Sequence, residues 1–176
     1  MQLSRAVIPT PLGDMLALAS DAGLCALEFT GPRKRLTRLD ARLRRWFPPH
    51  QIVDGNPPVV ARTRAWLAAY FDGAGANTGD VPLDMRGAEF ETRVWTALRA
   101  IPPGQTTSYG AIAKALGDAG ASRAVGAANG ANPVAIIVPC HRVVGSSGSL
   151  TGYGGGLERK QWLLDHERRW RSSQLF

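Results

Sequence analysis

Ile137-Val138-Pro139-Cys140-His141-Arg142-Val143-Val144 sets a thiol beside an imidazole inside a run rich in β-branched residues. A cysteine is a useful nucleophile only as a thiolate, and its reference pKa of about 8.5 leaves a few per cent ionised near neutrality. An adjacent base is the usual remedy. Cys140 and His141 are therefore the first candidates for chemistry. Upstream lies Ala131-Asn132-Pro133, and downstream lie Gly145-Ser146-Ser147-Gly148 and Tyr153-Gly154-Gly155-Gly156, so the thiol stands between turn signals and a glycine-rich loop. Glycines let backbone N–H groups come close to a ligand.

Outward from this segment the periodicities give helices. Residues 157–168 predict one, with Leu157, Trp162, Leu163 and Leu164 inward. On the upstream side, Ser108 can cap a short helix whose apolar face holds Ile112, Ala113 and Leu116. Asp118-Ala119-Gly120-Ala121 makes a turn, and residues 122–129 form a second helix. The pair reads as a helix-turn-helix, with an ordinary helical hairpin as the alternative on these residues alone. Small residues in the second helix would bring its backbone close to another surface. Before the pair, Phe90, Val94, Ala97, Leu98 and Ile101 recur at helical spacing until Pro102-Pro103-Gly104.

The first thirty residues alternate short apolar segments, 3–8, 15–19 and 24–29, with turn signals, which predicts an antiparallel meander. Residues 33–47 predict a helix with Leu36, Leu39, Leu43 and Phe47 on one face and arginines elsewhere, and residues 59–71 a second helix. Residues 72–79 read as a linker and 81–85 as an extended segment. The expected fold class is thus α+β: a small N-terminal antiparallel sheet with helices over residues 1–85, then a mainly helical domain over 86–176 containing the helix-turn-helix.

Composition narrows the setting. The 176 residues, 44% of them hydrophobic, suffice for a core. Pro9, Pro11, Gly13 and Asp14 interrupt the opening apolar stretch before a signal-peptide core or membrane span can form, so a soluble, cytoplasmic protein is expected. Two cysteines are no disulfide framework, and Cys25 in Leu24-Cys25-Ala26-Leu27 reads as a core hydrophobe. Three histidines, at 50, 141 and 166, have no zinc-site spacing. A net charge of +7 and a pI near 10.2 suit a polyanion such as DNA without identifying it.

The string of residues 131–156, with Asn132-Pro133 before Pro139-Cys140-His141-Arg142 and Tyr153-Gly154-Gly155-Gly156 after it, resembles the active-site signature of the O6-alkylguanine-DNA alkyltransferases, also called methylated-DNA–protein-cysteine methyltransferases. The wider pattern matches from about residue 90 to 167, with weaker likeness toward the N-terminus. The resemblance implies DNA repair by irreversible, single-turnover transfer of an alkyl group from O6-alkylguanine in duplex DNA to Cys140. His141 takes the thiol proton through a water, and Glu167 orients the imidazole. Tyr109 donates to guanine N3, while backbone groups of Val143, Tyr153 and Gly154 hold the base; many relatives have serine where Gly154 stands. Arg123 fills the gap left by the flipped nucleotide, on a recognition helix that presents Ser122, Ala124, Gly126 and Ala127 to the minor groove. Asn132 is a structural hinge tying that helix to the cysteine segment. The donor is double-stranded DNA, so neither a cofactor nor a small-molecule methyl donor is expected. No metal is expected either, since the zinc ligands of some relatives have no counterpart here. A monomer in solution is expected, with cooperative assembly on DNA left open.

Three other readings compete. An alkyltransferase-like lesion-binding protein would lack the acceptor that Cys140 provides. A cysteine hydrolase would need direct Cys140–His141 proton transfer, which is awkward without a water or a local twist because adjacent residues of an extended segment, as this one is expected to be, project to opposite sides. A helix-turn-helix regulator would leave the Cys140 string without a purpose.

Overall fold

The computed structural model of the chain describes the backbone of residues 1–73 and 80–173, and side chains as far as residue 170. It divides into two compact units, Met1–Gly87 with Pro133–Ala135, and Ala88–Asn132 with the residues from Ile136 onward. The short Pro133–Ala135 stretch, expected with the second unit, belongs to the first.

Tight turns build the first unit's sheet. Strands β1 (Gln2–Ile8), β2 (Met15–Ala19) and β3 (Leu24–Phe29) form the antiparallel meander, Ala6 facing Ala17 and Ala17 facing Leu27. Thr10 closes the first connection, its hydroxyl donating to Gly13 O at 2.6 Å and accepting from Leu12 N at 3.2 Å. A fourth strand, β4 (Gln51–Asp54), pairs in parallel with β1, giving the order β3-β2-β1-β4. The sheet is therefore mixed and not purely antiparallel. Parallel pairing requires a crossover, and the chain supplies one between β3 and β4 in helix α1 (Arg33–Trp46).

Leu39, Leu43 and Phe47 bury one face of the α1 region against Leu3, Leu18, Cys25 and Ala26, as the periodicity predicts. Burial of Cys25 pushes its thiol pKa up to about 11, which makes it an inert core side chain. Arg35 turns back to Glu28 on β3 at 2.6 Å. Helix α2 (Pro58–Asp72) packs against β2 through a face that includes Val60, Trp66, Leu67 and Tyr70. Gly73 ends it in the left-handed conformation, φ 75°. The remainder of the expected linker, 74–79, lies outside the described residues. Farther on, Leu83 bridges to Leu24, and Val134 to Leu27, so β3 is edged by two chain segments.

The second unit contains helices α3 (Glu89–Arg99), α4 (Tyr109–Ala115), α5 (Ser122–Gly130) and α6 (Leu157–Ser173), and a two-stranded parallel ribbon, β5 (Thr107–Ser108) with β6 (Val143–Val144). Ser108 caps α4 as expected, its Oγ accepting from Ala111 N at 3.1 Å. Helix α5 packs on both α3 and α4, and Trp95 on α3 donates to Ala128 O at 2.9 Å. Leu163 and Leu164 are buried, whereas Leu157, expected inward, is 49% exposed at the first position of α6. Among the described residues no helix is long and apolar enough to cross a membrane.

Candidate active site

The β-branched run before Cys140 is not a strand. Ile136 takes φ 68° although fully buried, a conformation that costs a β-branched residue about 1–3 kcal/mol and persists only where surroundings enforce it. Two asparagine amides supply part of that enforcement. Asn132 Nδ2 donates to Val138 O at 2.8 Å, and Asn129 Nδ2, from α5, donates to Cys140 O at 3.4 Å. Cys140-His141-Arg142 then forms a single 3-10 turn, closed by Arg142 N donating to Pro139 O at 3.0 Å, before the chain enters β6. The extended geometry behind the objection to Cys140–His141 cooperation is thus replaced by a turn.

All three turn residues are buried, His141 completely. Such burial demands partners for the polar groups, and Glu167 on α6, itself fully buried, supplies them. His141 Nε2 lies 2.7 Å from Glu167 Oε1. Arg142 grips the same carboxylate with two prongs, Nε to Oε2 at 2.9 Å and Nη2 to Oε1 at 2.8 Å, while its Nη1 donates to Ile101 O at 2.7 Å. Gly104 N adds a donor to Glu167 Oε2 at 3.2 Å.

This array fixes the protonation states. Burial by itself would raise the Glu167 pKa, but the hydrogen bond from His141 and the hydrogen bonds and charge of Arg142 outweigh it and hold the carboxylate well below its usual range. Burial depresses the His141 pKa despite the attraction of Glu167, so the ring is neutral near pH 7. A neutral imidazole facing a carboxylate through Nε2 carries its proton there, an assignment made from the hydrogen-bond partner. Nδ1 is then the basic nitrogen, and it is buried with no hydrogen-bond partner among the described residues.

A second buried cation borders the segment. Lys160 on α6 is 0% exposed and donates from Nζ to Val143 O at 2.6 Å, Thr151 O at 2.8 Å and Gly152 O at 3.4 Å. Burial lowers its pKa, opposed by the charge of Cys140. Lys160 thereby engages the carbonyl of Val143, a residue whose backbone groups are expected to meet the base.

Tyr109 opens α4. Its hydroxyl accepts from Thr151 Oγ1 at 3.0 Å and lies 3.5 Å from Thr151 O. The Tyr109 ring lies alongside Gly126, where an added Cβ would stand 3.8 Å from the ring. Tyr153 meets His141 edge to face, with ring centroids 6.5 Å apart, and Gly154 follows half-buried. On α5, Val125, Ala128 and Asn129 point inward, while Arg123, Ala124 and Ala127 are exposed and Ser122 and Gly126 half-buried.

Cys140, His141, Glu167 and Asn132 are thus brought into one hydrogen-bonded segment, and Tyr109 and Tyr153 border it through Thr151 and His141. Arg123 stands apart on an open helix face. Sequence reasoning missed Arg142, Lys160, Asn129 and Thr151. Arg142 carried a signal, since an arginine inside a run of apolar residues needs a buried carboxylate. Asn129 carried another, falling on the buried side of a helix. Nothing in the sequence separates Lys160 or Thr151 from surface residues.

Residues 89–169 match the family described as 6-O-methylguanine DNA methyltransferase, DNA binding domain. The chain is 50% identical over 149 residues to the methylated-DNA–protein-cysteine methyltransferase of Mycolicibacterium paratuberculosis, covering 85% of this chain and 90% of the relative. The chain belongs to the methylated-DNA–protein-cysteine methyltransferase family. A methyltransferase of the same name from Salmonella typhimurium is 44% identical over 95% of this chain and 96% of its own length. Among solved structures, the Mycobacterium tuberculosis O6-methylguanine methyltransferase superposes with a TM-score of 0.77 at 42% identity, covering 95% of this chain and 93% of that one. The same organism's OGT in complex with DNA gives 0.76 at 40% identity, with 97% and 94% covered. The methyltransferase-family match takes in α3, α4 and α5, the Cys140 turn and Glu167.

Proposed function

We propose that this protein repairs duplex DNA by moving the alkyl group of O6-alkylguanine irreversibly onto Cys140. The observation that carries the reading is the buried array in which His141, adjacent to Cys140, is held by Glu167, itself clamped by Arg142, with the basic Nδ1 of His141 left over among the described residues. In the reaction the Cys140 proton passes through a water to His141 Nδ1. The sulfur attacks the alkyl carbon, an S–C bond forms, and the C–O6 bond breaks with its electron pair going to guanine. Tyr109 stabilises the departing base by donating to N3, and the proton held by His141 is available to neutralise it. Because a thioether has neither an acidic proton nor a good leaving group, each molecule acts once. The alkylated DNA is itself the donor, and the scheme uses no cofactor.

The exposed face of α5 supports a role for Ser122, Arg123, Ala124, Gly126 and Ala127 in meeting DNA, the two helices α4 and α5 serving as a helix-turn-helix. Small side chains allow close approach to the minor groove, and Arg123 is long enough to enter the space of an extruded nucleotide. Asn132 serves as the hinge, its amide tying the end of α5 to Val138. The Tyr153–Gly154 backbone holds the base edge. We further infer a two-domain organisation divided near residue 85, action as a monomer and a cytoplasmic location.

The test is adduct formation with an O6-methylguanine duplex. Cys140→Ser is expected to bind the duplex and form no adduct, and Tyr109→Phe and Arg123→Ala to slow transfer. Wild-type rates in all three would overturn the mechanism, and tight binding with an unmodified Cys140 would select the lesion-binding reading.

A further inference from the structure

Resting on the alkyl-transfer reading, the geometry points to Thr151 as a positioning residue that turns the Tyr109 hydroxyl toward the extruded base. A phenol that is to donate to a base needs its proton unengaged and its oxygen fixed in place. Two neighbours provide this. Thr151 Oγ1 donates to the Tyr109 oxygen at 3.0 Å, occupying a lone pair. Among the described residues the acceptor facing the Tyr109 proton is the Thr151 carbonyl, at 3.5 Å, the edge of hydrogen-bonding range. That carbonyl is already taken by Lys160 Nζ at 2.8 Å, and Lys160 also donates to Val143 O at 2.6 Å, one residue beyond the Cys140 turn.

The consequence is a relay of position. Lys160 sets residues 151–152 against the Cys140 segment, Thr151 fixes the phenol oxygen, and the phenol proton stays weakly held until a stronger acceptor arrives. A hydroxyl that accepts a hydrogen bond also becomes a better donor, by about 10–30% per bond. Thr151 is exposed, so this role does not overlap with core packing, and its substitution is expected to leave the fold intact. In this role Thr151 takes no part in the bond-making step. It acts through Tyr109.

The experiment compares Thr151→Val, Thr151→Ser, Tyr109→Phe and the double variant Thr151→Val/Tyr109→Phe. It measures single-turnover alkylation of Cys140 at saturating O6-methylguanine duplex, together with duplex affinity. Thr151→Val is expected to slow alkylation roughly three- to ten-fold, the effect of one lost hydrogen bond, with affinity unchanged. Thr151→Ser, which keeps the hydroxyl, should react at the wild-type rate. In the Tyr109→Phe background, Thr151→Val should cost nothing more, because the pair acts as a unit. Undiminished alkylation by Thr151→Val, or an equal slowing in the Tyr109→Phe background, would overturn the role of Thr151 while leaving the alkyl-transfer reading intact. A wild-type protein that forms no adduct would overturn both.

Discussion

Glu167 is a buried carboxylate kept ionised by the His141 hydrogen bond together with Arg142, its cationic partner. The bidentate Arg142–Glu167 pair is almost completely enclosed, with side chains 3% and 0% exposed. Removing one member of such a pair strands the other, so Arg142→Met is expected to cost about 3–5 kcal/mol in urea unfolding. A variant as stable as the wild type would show that the ion pair contributes nothing to the fold. The same array sets two pH dependences. Glu167 is held below the ordinary carboxylate pKa in the folded state; its contribution to stability is present above the unfolded value of about 4.3 and is lost as pH falls through the lower folded value. His141 is also shifted downward, by burial. The neutral base should therefore persist below the usual imidazole pKa of about 6.5, and the alkylation rate should fall only at more acid pH. A half-maximal rate at 6.5 itself would mean that His141 titrates as though exposed.

Glycine placement sets the approach of chain segments to β3. An ideal Cβ at Gly23 would lie 2.7 Å from Pro82 O and 2.9 Å from the Leu83 carbonyl carbon, both backbone atoms that cannot swing aside. Leu24 N donates to that same Pro82 O at 2.8 Å. Gly23→Ala should destabilise the protein by about 1–3 kcal/mol, measured as a drop in the urea midpoint without a change in slope. An unchanged midpoint would mean that the 81–84 segment is not packed there. Elements with clear periodicity or bounded by Gly and Pro were legible in the sequence: β1 to β3, the helices, and the Ser108 cap. β4 was not, because its four residues are largely exposed and gain their conformation from pairing with β1. The Cys140 turn was misread as extended because β-branched residues usually favour strands. There the Asn129 and Asn132 amides and the strained Ile136 override local preference. Of the site, Cys140, His141 and Asn132 were visible as a local string. Glu167 and Tyr109 came through the family resemblance, and Lys160 and Thr151 became visible only when the fold brought α6 and the glycine-rich loop together.

For the whole molecule, a net charge of +7 matches the proposed duplex partner. If phosphates supply most of the affinity, the logarithm of the binding constant should fall linearly with the logarithm of salt concentration, by about 0.9 for each phosphate neutralised. Arg123→Ala should reduce that slope by no more than about one, since most of the other cations remain. An affinity indifferent to salt would contradict a phosphate-based interface. In the proposed mechanism, base flipping, thiol activation and leaving-group stabilisation converge on a single chemical outcome, the permanent conversion of Cys140 into a thioether. The most direct measurement is the mass of the Cys140 peptide, alongside the base composition of the DNA, after incubation with an excess of O6-methylguanine duplex. The account predicts that Cys140 gains one CH2 unit, that one guanine is restored for each protein molecule, and that repair then stops. An unmodified Cys140, or repair continuing beyond one lesion per molecule, would contradict it.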